Sequence, residues 1–144
     1  MSTIAETVMQ AILARLTGSP ALDADVRRSH RIPVTRDAAP AVHLVDGRDV
    51  PTPSRNDCRT DRTKSLTVSI FVRDDAGASA ADALVQAINA RLDPIDEAQT
   101  AYPSGAVLRQ LSIIPSEEIA DGDAVQIDME YEFDYATSGW ALDA

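Results

Sequence analysis

The chain has 144 residues, a net charge of −10 and 44% hydrophobic residues, which fits one domain over 1–144 with a core of its own. Its single cysteine, Cys58, excludes an internal disulfide and suits a reducing cytoplasm. No apolar run nears the ~18 residues of a membrane span, and the start of the chain has neither a basic nor an apolar leader region, so nothing in it indicates secretion or a membrane.

The charge is uneven. Residues 1–75 hold 11 basic and 10 acidic groups, whereas residues 76–144 hold 2 basic and 13 acidic ones. An acidic surface is therefore expected beside a mixed one. This balance argues against nucleic-acid binding of the usual kind, in which a basic patch neutralises phosphates.

In chain order, Thr3 and Glu6 form a capping box, and Ile4, Val8, Ala11, Ile12 and Leu16 recur at helical spacing until Gly18-Ser19-Pro20. This predicts a first helix. From Ala21 to Pro40 the pattern weakens; Val26, His30, Ile32 and Val34 indicate an extended segment, with Pro33 favouring an edge or irregular strand. Arg27, Arg28, Arg31 and Arg36 cluster there, either as a solvated basic stretch or as a contact to a neighbouring subunit or partner. Ala41 to Asp46 reads as a short strand closed by a turn at Gly47.

Residues 47–64 are charged and almost devoid of apolar side chains, and read as a long loop. Loops of that length in a compact domain are uncommon, and are usually functional or disordered. Arg48, Arg55, Arg59, Arg62 and Lys64 make it the candidate for docking to a partner, against the plainer reading of a solvated loop.

Leu66, Val68, Ile70 and Val72 then alternate with Thr67, Ser69, Phe71 and Arg73, predicting a central strand. A turn at Asp74-Asp75-Ala76-Gly77 leads to a second helix, capped by Ser79, with Ala81, Leu84, Val85, Ile88 and Leu92 as its apolar stripe and Pro94 as its stop. Ala106 to Ile114 reads as a strand, and Asp121-Gly122 as a hairpin turn.

The last strand, Ala124 to Tyr135, alternates strictly. Val125, Ile127, Met129, Tyr131, Phe133 and Tyr135 fall on one face, and Gln126, Asp128, Glu130, Glu132 and Asp134 on the other. Its twelve residues span about 40 Å. Successive acids ~7 Å apart repel by roughly 0.6 kcal/mol in water and ~2.4 kcal/mol at an effective dielectric of about 20, so this face must be wet or paired with cations.

A two-residue turn at Asp121-Gly122 mixes the two faces of the hairpin. A bulge near Pro115, or a wider loop from Pro115 to Asp123, restores them by placing Ile113 opposite Tyr131 and Leu111 opposite Phe133. Ala136 to Ala144 reads as a flexible tail. The expected fold is α+β with two layers: a mainly antiparallel sheet of about four to five strands, two helices packed on one face, and an acidic face looking outward.

Chemistry is scarce. His30 and His43 lack partners at metal-ligand spacing, no glycine loop fits a phosphate, and no serine has a nucleophile-elbow context. Asp128, Glu130, Glu132 and Asp134 project in parallel rather than converging, which disfavours a metal centre and leaves loose Mg²⁺ association or a solvated or lumen-facing surface. Neither enzyme activity, a cofactor nor a catalytic residue is indicated.

Four pieces in order carry a resemblance: the N-terminal helix, Pro40 to Gly47, Leu66 to Val72 running through an acidic turn into the second helix, and the C-terminal hairpin ending Asp128 to Tyr135. Across most of residues 3–137 the chain resembles the tail terminators of long-tailed phages, of the lambda type, and their domesticated relatives, including gene-transfer particles. It departs from them in the Arg-rich 21–36 stretch and in the tail. The resemblance implies a structural virion protein of the tail–neck region, present in the host cytoplasm during assembly. It implies a ring, commonly a hexamer, that ends tail-tube growth and offers the surface for joining the DNA-filled head. Its expected partners are further copies of itself, the tail tube protein and a head-completion or connector protein. DNA would pass through without specific binding.

A neck or head–tail joining protein is the alternative, and a small acidic binding module or an enzyme is a more distant one. In a ring, some of Asp128, Glu130, Glu132 and Asp134 would face the channel and repel DNA phosphates, or these acids would meet arginines of a neighbour. Arg27, Arg28, Arg31 and Arg36 are the inter-subunit candidates. Six copies at −10 each carry about −60, so cations or a template must offset repulsion on assembly.

Overall fold

A computed structural model describes residues 3–18, 24–28, 40–52, 59–72, 78–93, 102–103, 106–115 and 125–138. The elements are α1 (Ile4–Thr17), β1 (Asp25–Arg28), β2 (Ala41–Thr52), β3 (Arg59–Val72), α2 (Ala78–Leu92), β4 (Val107–Pro115) and β5 (Val125–Ser138). The five strands form one sheet in the order β1-β2-β3-β5-β4. β1 runs parallel to β2, and every other neighbouring pair is antiparallel. The α+β architecture expected from the alternation and the two helical stripes is the one found.

One face of the sheet is the floor of the core. Val42, Leu44, Leu66, Val68, Ile70, Met129, Tyr131, Phe133 and Leu108 point to it, and the buried stripes of α1 (Val8, Met9, Ile12, Leu16) and α2 (Ala81, Val85, Ile88, Leu92) pack on top. Polar atoms lock the helices in place. Tyr131 donates to Asn89 Oδ1 at 2.6 Å, joining β5 to α2. The Arg91 guanidinium donates to the Gly18 and Arg15 carbonyls at 2.9 and 3.2 Å, so a cation of α2 closes the C-terminal end of α1. Arg15 in turn lies 3.9 Å from the centre of the Tyr102 ring, whose hydroxyl donates to the Leu92 carbonyl at 2.7 Å.

Thr3 caps α1 by accepting from the Glu6 amide at 3.1 Å. The other half of the expected capping box is replaced: the Glu6 carboxylate takes both Arg28 amino groups at 2.6 and 2.7 Å. The second helix starts at Ala78, ahead of the expected cap Ser79. Of the extended segment expected between 21 and 40, Asp25–Arg28 forms β1, while His30, Ile32, Pro33 and Val34 lie outside the described residues.

The long loop expected over 47–64 is corrected. Gly47–Thr52 continues β2 and Arg59–Lys64 begins β3, so both belong to a two-stranded arm, with residues 53–58 outside the described part. The arm is extended by β5, which pairs with β3 without interruption from Arg59↔Ser138 to Val72↔Val125. Charged composition hid these strands, because their charges find partners on adjacent strands instead of apolar neighbours. The expected tail is shortened as well: Ala136–Ser138 is still paired strand, and the residues beyond it lie outside the described ones.

Two bulges shape the sheet. Gly47 and Arg48 together oppose Ser65, and Leu111 is the extra residue between Gln110↔Tyr131 and Ser112↔Glu130. The bulge expected near Pro115 therefore sits at Leu111. Ile113 pairs with Met129 instead of Tyr131, and Leu111 is 51% exposed instead of buried opposite Phe133; Leu108 takes that place. The register shift of this second bulge swaps which β4 residues share a side with the acids.

Gly47 has no room for a side chain, since a Cβ there would stand 2.7 Å from the Ser65 carbonyl oxygen. We expect Gly47→Ala to lower stability by about 1–3 kcal/mol in urea unfolding, through forced backbone shifts in the bulge. Arg48→Ala, at the exposed neighbour, should change it by no more than ~0.5 kcal/mol.

Candidate assembly surfaces

The outward face of the sheet carries the acid stripe. Each carboxylate is held by a neighbour within the chain. Asp128 accepts from Ser69 at 2.7 Å and Gln126 at 2.9 Å, and Glu130 accepts from Ser112 at 2.9 Å. Arg109 bridges the other two, reaching Glu132 at 2.6 Å and Asp134 at 2.5 Å, while Thr63 donates to Asp134 at 2.7 Å. These bonds hold the Asp134 carboxyl below its ordinary pKa, with Arg109 the main cause, and raise that of Arg109. Four carboxylates against one guanidinium leave three net negative charges on the stripe.

The requirement for a cation beside the acids is thus met inside the chain by Arg109, a residue that sequence reasoning missed. Pairing Leu111 with Phe133 would set Arg109 across from Tyr135 on the core side. The bulge at Leu111 turns it to the acids instead. Cross-strand alternation was the available signal, but it works only once the bulge is placed.

The outward face is not wet throughout. Ala41, His43, Ser69 and Phe71 are buried there, with His43 at 3% exposure and its ring centre 4.9 Å from that of Phe71. Among the described residues, the acidic surface expected across the whole face is therefore concentrated on the β5–β4 side and the arm.

On the core side, the arm begins where the apolar floor ends. Along β3, Leu66 gives way to Lys64 and Arg62; on β2, Leu44 gives way to Asp46 and Asp49. Arg28 connects Glu6 with Asp46, to which it donates at 3.0 Å, and Lys64 lies 3.6 Å from the same carboxylate. Further out, Arg62 approaches Asp49 at 3.4 Å, and the Tyr135 hydroxyl donates to Asp49. The Arg28 contact pulls the Glu6 carboxyl down to about 2, and burial pushes the Tyr135 hydroxyl up.

This changes the standing of the basic candidates. Arg28 is tied into the fold, with only 16% of its side chain exposed, and is corrected from an inter-subunit candidate to an intramolecular brace. Lys64, at 9% exposure, and Arg62 are likewise structural rather than displayed on a loop. Arg59 is exposed and pairs with Asp61 at 2.9 Å, and Arg48 is exposed on the arm. Arg27 is exposed on β1, whereas Arg31, Arg36 and Arg55 lie outside the described residues.

An open cleft of about 450 Å³ lies beside the arm, lined by Arg59, Asp61, Arg62, Asp134 and Tyr135 among others. Its charged groups already pair with one another or with neighbours, and among the described residues no three His, Cys, Asp or Glu side chains converge as metal ligands. Also among the described residues, no helix is long and apolar enough to cross a membrane.

No family model matches the chain, and no curated protein matches it. A solved structure does. It is a chain from the virion of a native gene transfer agent particle, 16% identical, with a TM-score of 0.52, aligned over 94% of this chain and 92% of that one. The two chains share a fold. At this identity the likeness concerns architecture, and function has to be argued from surfaces.

The Glu6–Arg28 pair has a measurable consequence. The Glu6 pKa falls from an ordinary 4.5 to about 2 on folding. Its ionisation therefore adds stability above pH 4.5, and that contribution is lost as pH drops from about 4.5 towards 2. Partial exposure of Glu6 keeps the effect small. We expect Glu6→Gln to flatten the stability–pH curve in that window, read by urea unfolding; a curve parallel to the parent's would show the pair to be inert.

Proposed function

We propose that this chain is a structural protein of a phage-like virion. It assembles as a ring on the end of the tail tube, stops tube polymerisation and presents the surface to which the head joins. The observation that carries this reading is the fold shared, over nearly the full length of both chains, with a protein of a gene transfer agent virion. The surfaces support it. A closed ring needs two different patches that complement each other on neighbouring copies. Here the sheet offers a net-negative side at β5–β4 and, four strands away, an unlike β1 edge whose outward positions hold both Asp25 and Arg27.

In this reading the chain acts by assembly and catalyses nothing, and its site is the tail–neck region. Its partners are further copies in a ring, commonly of six, the tube protein and a head-completion or connector protein. The arm, with Arg48 and Arg59 exposed, is the docking element towards one of them. The acid stripe faces the channel, where negative charge repels phosphates and lets DNA slide past, the reverse of binding through counterion release.

Loss of the gene in the producing strain should give overlong tails in negative-stain electron microscopy. Tails of normal length left unattached to heads would instead assign the chain to the neck as a joining protein. Replacing the stripe as Asp128→Asn, Glu130→Gln, Glu132→Gln and Asp134→Asn should leave rings intact and slow DNA ejection; a variant that fails to form rings would place these acids against a neighbour's cations.

A further inference from the structure

We propose that the β4 edge of one copy pairs with the β1 edge of the next, so that a single sheet continues from protomer to protomer; this rests on the ring reading above. β4 is an outermost strand, with β5 its sole strand neighbour among the described residues. Yet it exposes Val107, Leu111, Ile113 and Ile114, at 55%, 51%, 45% and 48%. Only one further large hydrophobic residue, Val50, is comparably exposed in the described chain. Edge strands left in water are normally blunted by charge or proline, because unpaired amides and carbonyls beside apolar side chains invite another strand. The one charged side chain along β4, Arg109, is turned to its own acids, and the bulge at Leu111 and Pro115, at the strand's end, interrupt the edge without covering these apolar side chains. This edge is built to be covered.

Three features select β1 of a second copy as its cover. The first is polarity. With β1 and β2 parallel and the other neighbours antiparallel, β4 runs opposite to β1. Rotation about a ring axis preserves strand direction and the identity of the two faces, so β4 of one copy meets β1 of the next antiparallel, with core sides aligned.

The second is charge. One row across the outward face reads Arg27, His43, Ser69, Asp128, Ile114, from edge to edge. Joined head to tail, the negative stripe adjoins a β1 edge whose outward positions hold both Asp25 and Arg27 and so no net charge. A two-fold pairing of β4 with β4 instead opposes two net-negative stripes, and it closes a dimer rather than a ring.

The third is apolar continuity. Val26, on the core side of β1, is only partly buried, and Ile113 is exposed on the core side of β4. Head-to-tail pairing covers both.

The test uses the full chain under conditions where the parent forms rings by native mass spectrometry. Leu111→Lys combined with Ile114→Lys should abolish the ring and leave monomers with the parent's circular dichroism, since both side chains are exposed. In a Cys58→Ser background, Arg27→Cys together with a cysteine scanned through Ser112, Ile113 and Ile114 should give, on oxidation, a covalent ladder reaching the ring size. Each single-cysteine variant should give no ladder. Rings that persist in the double-lysine variant, or covalent dimers from Ile114→Cys alone, would overturn the edge pairing while leaving the ring standing. A parent that stays monomeric with Mg²⁺, at high concentration and on purified tail tubes would overturn both.

Discussion

The uninterrupted ladder between β3 and β5, fourteen residue pairs from Arg59↔Ser138 to Val72↔Val125, is the constraint on which the rest of the structure depends. Because side chains alternate with a period of two, one unbroken register sends every large apolar residue of β5 to one face and every acid to the other. A one-residue slip would invert the two. The helices can cover one side only because that side is apolar without a break from Ile127 to Phe133, and the acids can line up only because the same strand stays in register beneath them. The bulges fall on β2 and β4, the strands flanking this pair, where they bend the sheet without disturbing its centre.

Where the helices end, the sheet does not. The core-side positions change from leucine to lysine, arginine and aspartate, and Arg28, Glu6, Asp46 and Lys64 close the boundary with charge-assisted hydrogen bonds. Half-buried charges of this kind add little net stability against an apolar alternative, but they leave a strong penalty for any arrangement that separates them. The consequence is positional. The arm is held in line with the sheet by contacts to α1 and β1, so its outer residues are presented at a defined distance from the core. An element meant to meet another protein benefits from that rigidity, since less ordering is required on contact.

The two faces and two edges then divide the work. The core side supports the helices, the outward side near β5 and β4 holds negative charge, and the edges differ: one exposes apolar side chains, the other carries Asp25 and Arg27. A fold with unlike edges is suited to head-to-tail repetition, which is what a ring requires. In the proposed role, negative charge facing DNA would favour passage over capture. None of this depends on a catalytic group, and the cleft by the arm gathers charges that neutralise one another.

Local pattern alone determined much of this protein. The stripes of α1 and α2, the central strand from Leu66, the two-faced β5 and hence the α+β layering follow from periods of 3.6 and 2, which each segment carries within itself. The tertiary structure decided what depends on partners far apart in sequence. Gly47–Thr52 and Arg59–Lys64 look like loop because they are polar; they are strands because Asp46, Asp49, Arg62, Lys64 and Tyr135 meet across three strands. Arg28 looked available until Glu6 and Asp46 occupied it, and Arg109 faced the wrong way until the bulge fell at Leu111. A charge in a sequence shows its sign but not its partner, and a strand shows its alternation but not its register. Those two quantities are set by non-local pairing, and they separate the buried braces from the surfaces left for assembly.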